Sequence, residues 1–164
     1  MLPKRLELLQ GMPIFGALRS DALQVLLRRA QTAEVPAGSF FFLENDPASS
    51  MYVLEGGDAS VMKVWRGRDY VLNRLGPGDC FGEMALMDLQ PRSASVRADS
   101  HCHAIEISHD DLLHLYERDI EQFALIQMNI GREVCRRLRA TDELLFRTRL
   151  GEHPVGPGSF FSPA

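Results

Sequence analysis

The sequence predicts an α+β domain that is mainly β, with helices at both ends. Three observations carry this reading. Residues 32 to 108 fall into short apolar or alternating runs separated by Gly, Pro, Asn and Asp, the punctuation of consecutive strands. Residues 1 to 31 set leucines at helical spacing. Residues 109 to 146 end in a long stretch, from Ile120 to Phe146, with no proline and Gly131 as its one glycine.

The elements follow in order. Leu6, Leu8 and Leu9 lie in a short helical segment ended by Gly11. Met12-Pro13-Ile14-Phe15 reads as a hydrophobic staple before the next helix. Ser20 is positioned to cap that helix, with Asp21 in its first turn and Leu23, Leu26, Leu27 and Ala30 on one face. The turn signals Val35-Pro36-Ala37-Gly38 and Asn45-Asp46-Pro47 bracket Phe40, Phe41 and Phe42, which favour a strand. Met51 to Leu54, Ala59 to Val64, Tyr70 to Leu72, Ser95 to Arg97 and Cys102 to Ile107 are further strands, the third of these closed by Gly76-Pro77-Gly78-Asp79. Strands this short and this evenly spaced suggest a sandwich or barrel. Ser108 caps a helix opening His109-Asp110-Asp111. Along the last helix Gly131, Val134, Leu138, Thr141 and Leu145 form a stripe that can pack on a sheet or pair with a second copy. Arg132, Arg136, Arg137 and Arg139 read as its solvated face.

The most informative run is Phe81 to Val96, FGEMALMDLQPRSASV. Gly82 permits close backbone approach. Glu83 offers acceptor oxygens to sugar hydroxyls. Met84 to Met87 are helix formers, and the start of a helical turn presents unpartnered amides to an anion. Pro91 ends the turn, and Arg92 brings a planar guanidinium suited to phosphate. Ser93-Ala94-Ser95-Val96 then alternates as a half-buried strand does. These groups together suit a small ligand with a phosphate and a sugar hydroxyl.

This run resembles the phosphate-binding cassette of the cyclic nucleotide-binding domain family, which includes catabolite activator proteins, kinase regulatory subunits and gated channels. The likeness extends from about Pro13 to Leu145. It implies an eight-stranded jelly-roll β-barrel flanked by N-terminal helices and a long C-terminal helix. One domain, residues 1–146, would divide into helices 1–31, the jelly roll 32–108 and helices 109–146, followed by a Pro/Gly-rich tail, 147–164. The ligand implied is cyclic AMP, with cyclic GMP open, and no cofactor. Gly82 would contact ribose or phosphate, and Glu83 would bind the ribose 2′-hydroxyl. The amides of Ala85 and Leu86 would face the phosphate and Arg92 would neutralise it. Ser93 would sit beside it, with Phe81, Met84 and Ala94 completing the lining. On the last helix Thr141 would meet the base edge. Asp142 stands where the activators carry a hydroxyl residue; a carboxylate there could accept from guanine. The same helix would form a homodimer, and its movement would signal to an unidentified downstream protein.

Composition agrees. The 164 residues carry a net charge of −4, with 45% apolar and 24% charged residues, a balance that argues against broad nucleic-acid or membrane-surface affinity. No apolar run suffices to span a bilayer and no signal-peptide pattern opens the chain. Cys80, Cys102 and Cys135 form no zinc or disulfide pattern and read as buried thiols in a cytoplasmic protein. Gly151, Pro154, Gly156, Pro157, Gly158 and Pro163 forbid a further helix pair, so no DNA reader is expected. Two other classes stand beside the sensor reading. A scaffold that keeps the fold without binding nucleotide is disfavoured by the presence of both Glu83 and Arg92. A metal-dependent cupin-like enzyme would use His101 and His103 with Glu106, but that spacing is short for the cupin pattern. No metal site and no catalytic constellation are expected.

Overall fold

The computed structural model describes residues 2–150; the tail from residue 151 lies outside them. Helix α1 (Leu2–Gln10), a 3₁₀ turn at Pro13–Phe15 and helix α2 (Ser20–Arg29) open the chain. Eight strands follow: β1 (Gln31–Val35), β2 (Phe40–Phe42), β3 (Ser50–Gly56), β4 (Ala59–Trp65), β5 (Arg68–Leu75), β6 (Cys80–Phe81), β7 (Ser95–Ala98) and β8 (Cys102–Ser108). Helix α3 (Met84–Asp88) lies between β6 and β7, and α4 (His109–Arg118) and α5 (Ile120–Arg149) complete the described chain.

The strands form two antiparallel sheets, ordered β1-β8-β3-β6 and β2-β7-β4-β5. The expected barrel is corrected here: eight strands are present, but the sheets do not close on each other. Each sheet ends on edge strands that bond to no strand of the other, and one of these edges, β6, is two residues long.

Two apolar clusters explain which residues the strands needed. Tyr52, Leu54, Phe81, Val96, Cys102 and Ala104 fill the space between the sheets. Met51, Val53, Ile105 and Ile107 face the other way, against Leu23, Leu26, Leu112, Leu115 and Ile126 of the helices. Strands β3 and β8 are therefore covered on both faces, which is why they read as near-continuous apolar runs. Strand β1 was missed in the sequence because Gln31, Thr32 and Glu34 are exposed and it lies at an edge.

The helix ends follow local chemistry. Ser108 caps α4, and Asp111 returns the bond to the Ser108 amide, closing a capping box. Ser20 does not cap α2; residue 19 is already the extended cap position, and Ser20 Oγ instead accepts from Gln10 Nε2 at 2.9 Å. Helix α5 runs three residues past Phe146, the end expected from sequence. Its first half is anchored: Ile126 and Ile130 are buried, Gln122 accepts from the Arg19 amide at 2.7 Å, and Asn129 donates to the Gly16 carbonyl at 2.8 Å. In its second half Leu138, Leu145 and Phe146 are exposed.

Gly57 holds the corner between β3 and β4 at φ +85°, where a Cβ would stand 2.4 Å from the His101 carbonyl oxygen. Gly57→Ala should destabilise the domain by about 2 kcal/mol or more. A thermal melt should drop by about 4–8 °C; an unchanged melt would contradict the close approach.

Candidate functional site

The site is built from the turn after β6. Gly82 has φ +79°, and a Cβ there would lie 2.5 Å from Arg92 Nη1. Glycine at this position therefore lets the guanidinium lie against the backbone. The Gly82 carbonyl accepts from Arg92 Nη1 at 3.2 Å. Glu83 follows at 2% exposure. No side chain caps the start of α3, so the Met84 and Ala85 amides keep the unpartnered state of a first helical turn. The Leu86 amide is already used, donating to the Glu83 carbonyl at 3.1 Å. The turn ends not at Pro91 but at Leu89, in the left-handed conformation with φ 56°.

Arg92 is clamped by its backbone. Its amide donates to the Asp46 carbonyl at 3.0 Å and its carbonyl accepts from the Asn45 amide at 2.9 Å. The side chain turns inward and is 5% exposed. Its guanidinium stacks over Phe42 at 4.0 Å and lies 5.7 Å from the Tyr52 ring, contacts that soften the burial of a cation. Nη2 donates weakly to Ser50 Oγ at 3.4 Å. Nε is buried and has no hydrogen-bond partner. Among the described residues no carboxylate forms an ion pair with this group. Burial pulls its pKa below the ordinary arginine value. Glu106 stands one layer behind, accepting from Ser50 Oγ at 2.7 Å and from the Tyr52 hydroxyl at 3.1 Å. It therefore serves this inner network and does not join His101 and His103.

The turn after β6, the start of α3, Phe42 and Arg92 line a cavity of about 210 Å³. Of the residues singled out in the sequence, Phe81, Gly82, Glu83, Met84, Ala85, Arg92, Ser93 and Ala94 reach it; Leu86, Thr141 and Asp142 do not. The Thr141 hydroxyl is turned back on its own helix, donating to the Arg137 carbonyl at 3.0 Å, and Asp142 is exposed. Ser95 is also committed elsewhere, accepting from the Glu44 amide at 2.8 Å.

Arg137 corrects the reading of the arginines on α5. It is not on a solvated face. Its Nη1 donates to Glu83 Oε1 at 2.7 Å, its Nε to Glu133 Oε1 at 2.9 Å and its Nη2 to the Cys80 carbonyl at 3.0 Å. Burial works against its charge, but Glu83, Cys80 and Glu133 outweigh that and raise its pKa. Nothing local distinguishes Arg137 from Arg136 or Arg139; only the packing of α5 against the β6 turn does. Ser50, Tyr52 and Glu106 were missed for the same reason. A larger groove of about 910 Å³ lies on the far side of Arg137, between α1, the Leu75–Cys80 turn and α5. Arg132, Arg136 and Arg137 line it, but two of these already have carboxylate partners and the third, Arg132, donates to Asn129. The smaller cavity is the one that holds a buried, unpaired cation.

The chain matches the family model described as "Cyclic nucleotide-binding domain" over residues 32–119. It belongs to that family. It is 30% identical over 139 residues to the cyclic AMP receptor protein of Thermus thermophilus, covering 82% of this chain and 61% of that protein. The crystal structure of the Thermus thermophilus catabolite activator protein superposes with a TM-score of 0.73 at 29% identity, over 84% of this chain and 63% of the other. The regulatory domain of Toxoplasma gondii PKA, crystallised with cAMP, matches with a TM-score of 0.64 at 27% identity, over 67% and 42%. The chain thus spans about three-fifths of the length of the curated relatives it matches.

The Glu83–Arg137 pair has a stability consequence. Removing one partner of a buried pair leaves the other uncompensated. Arg137→Met should cost about 2–3 kcal/mol in urea unfolding, below the fully buried range because Arg137 is part-exposed. The double variant Arg137→Met/Glu83→Gln should recover much of it. Additive losses would argue against the pair.

The thiols differ in reactivity. The Cys80 pKa is pushed up to about 12, first by burial and then by the charge of Glu83. Burial also raises Cys102. Cys135 is exposed, contrary to the expectation of three buried thiols. At pH 8 a thiol reagent should modify Cys135 alone in the folded protein, since a thiol with a raised pKa stays protonated there. Mass spectrometry of the labelled peptides checks this; fast labelling at Cys80 would contradict its burial.

Proposed function

We propose that this chain is a cyclic-nucleotide-responsive regulatory module, cyclic AMP being the first ligand to test. The observation that carries the reading is the Arg92 guanidinium, buried in a cavity without a carboxylate partner. A buried charge of that kind is stabilised by a ligand of opposite sign. A cyclic phosphate suits it, supported from the other side by the Met84 and Ala85 amides. The ribose 2′-hydroxyl would donate to Glu83. The relatives support the choice of ligand: one is named for cyclic AMP and another was crystallised with it.

At about 210 Å³ the cavity is smaller than the roughly 300–1,000 Å³ of ordinary small-molecule sites. The phosphate and ribose would fill it, and the base would project towards α5. Thr141 lies one helical turn beyond Arg137, so a rearrangement of this helix would bring it and Asp142 over the base. Because Arg137 occupies a Glu83 oxygen, a ribose hydroxyl competes with it. Binding would shift α5 only as far as the ligand prefers one arrangement over the other. The exposed Leu138, Leu145 and Phe146 on the same helix support pairing with a second copy. A carboxylate at Asp142 keeps cyclic GMP in the comparison.

Calorimetric titration with cyclic AMP and cyclic GMP tests the reading. Arg92→Ala should lose roughly 2–5 kcal/mol of binding, about thirty-fold or more in affinity. Equal affinity in variant and wild type would remove the phosphate role. A cyclic nucleotide at a hundredfold excess over its dissociation constant should add about 2.7 kcal/mol of stability. No thermal shift with either nucleotide would favour the scaffold reading.

A further inference from the structure

A second cluster lies at the opposite corner of the β1-β8-β3-β6 sheet and takes no part in the nucleotide site. Strands β1 and β8 pair with Glu34 opposite His103. Side chains two apart on a strand share a face, so His101, just before β8, stands beside His103. Their rings meet edge-on with centroids 4.7 Å apart. His103 Nδ1 is 3.7 Å from Glu34 Oε1. One ligand atom from each of the three residues falls within 4.8 Å of the other two.

The neighbours leave this space open. On the other flank β3 presents Gly56 opposite His103, and nothing lies within 4 Å of where a Cβ of Gly56 would stand. Among the described residues no lysine or arginine pairs with Glu34. Cys102, between the histidines, points into the core and donates to the Asp58 carbonyl at 3.2 Å. Glu106 is held on the opposite face by Ser50 and Tyr52.

We propose that Glu34, His101 and His103 form a surface site for a first-row divalent transition ion, Zn²⁺ in the first instance. Two imidazoles and a carboxylate are a set that Zn²⁺ takes, with a water in the fourth position. Bonds of about 2.0–2.2 Å place tetrahedral ligand atoms roughly 3.4 Å apart. The three donors are exposed, so side-chain rotation of about 1 Å closes the difference without moving the strands. The bound ion would clip the edge strand β1 to β8.

The test uses the whole chain, stripped of metal with a chelator and dialysed. It is titrated with Zn²⁺ by calorimetry and with Co²⁺ by visible absorption. One equivalent should bind, and Co²⁺ should give the bands of a low-coordinate nitrogen–oxygen site. His101→Ala and His103→Ala should each weaken Zn²⁺ about tenfold or more, since even a partner one shell further out is worth that much. Glu34→Gln should weaken it as well. His114→Ala and Cys135→Ser, away from the cluster, should bind as wild type. All these side chains but the partly buried His114 are exposed, and circular dichroism verifies that each variant is folded. Absence of saturable binding by the wild type overturns the proposal. So does unchanged affinity in the His101→Ala/His103→Ala double variant.

Discussion

A guanidinium buried without a carboxylate is the constraint on which the rest of this structure depends. Taking a cation out of water is costly unless its charge is met. In direct contact it meets neutral groups: the Gly82 carbonyl, the Ser50 hydroxyl and the faces of Phe42 and Tyr52. Gly82 must lack a side chain because Arg92 occupies the space a Cβ would take. The loop between β2 and β3 is tied to Arg92 through Asn45 and Asp46, which holds the side chain inward. Glu106 contributes its charge from a second layer, through Ser50 and Tyr52.

The second feature is the connection from this pocket to α5. Glu83 is almost wholly buried, and Arg137 reaches it from the helix. The first half of α5 is fastened to the N-terminal turn through Gln122, Ile126 and Asn129, whereas beyond Arg137 its apolar residues are largely exposed. One ion pair therefore stands at the boundary between the packed and unpacked halves. A ligand that took a Glu83 oxygen would act at that boundary, and the proposed response of α5 rests on this contact.

Much of this was legible in the chain. The run from Phe81 to Ala94 is local, and most of its residues, though not Leu86, reach one cavity because a turn, one helical turn and a strand leave them few alternatives. The strands β3, β4 and β8 announced themselves by β-branched and aromatic residues between turn signals. Strands β1 and β6 did not: one is a polar edge and the other has two residues. The closed barrel was expected from the family and is not what the hydrogen bonding shows, since closure depends on pairing between distant edges. Arg137 was read with its arginine neighbours because helical periodicity gives its face but not what that face meets.

By itself the sequence determined the elements set by short-range physics: the cap at Ser108, the close backbone approach that Gly82 allows and the carboxylate and guanidinium nine residues apart on one cassette. Only the tertiary structure decided which charges meet. Ser50 and Glu106 are far from Arg92 in the chain, Glu83 and Arg137 are on separate elements, and Glu34 joins the two histidines only through the β1–β8 register. Pairings of this kind follow from how sheets and helices stack. No local preference encodes them, because the energy of a charge depends on the partners that packing brings within reach.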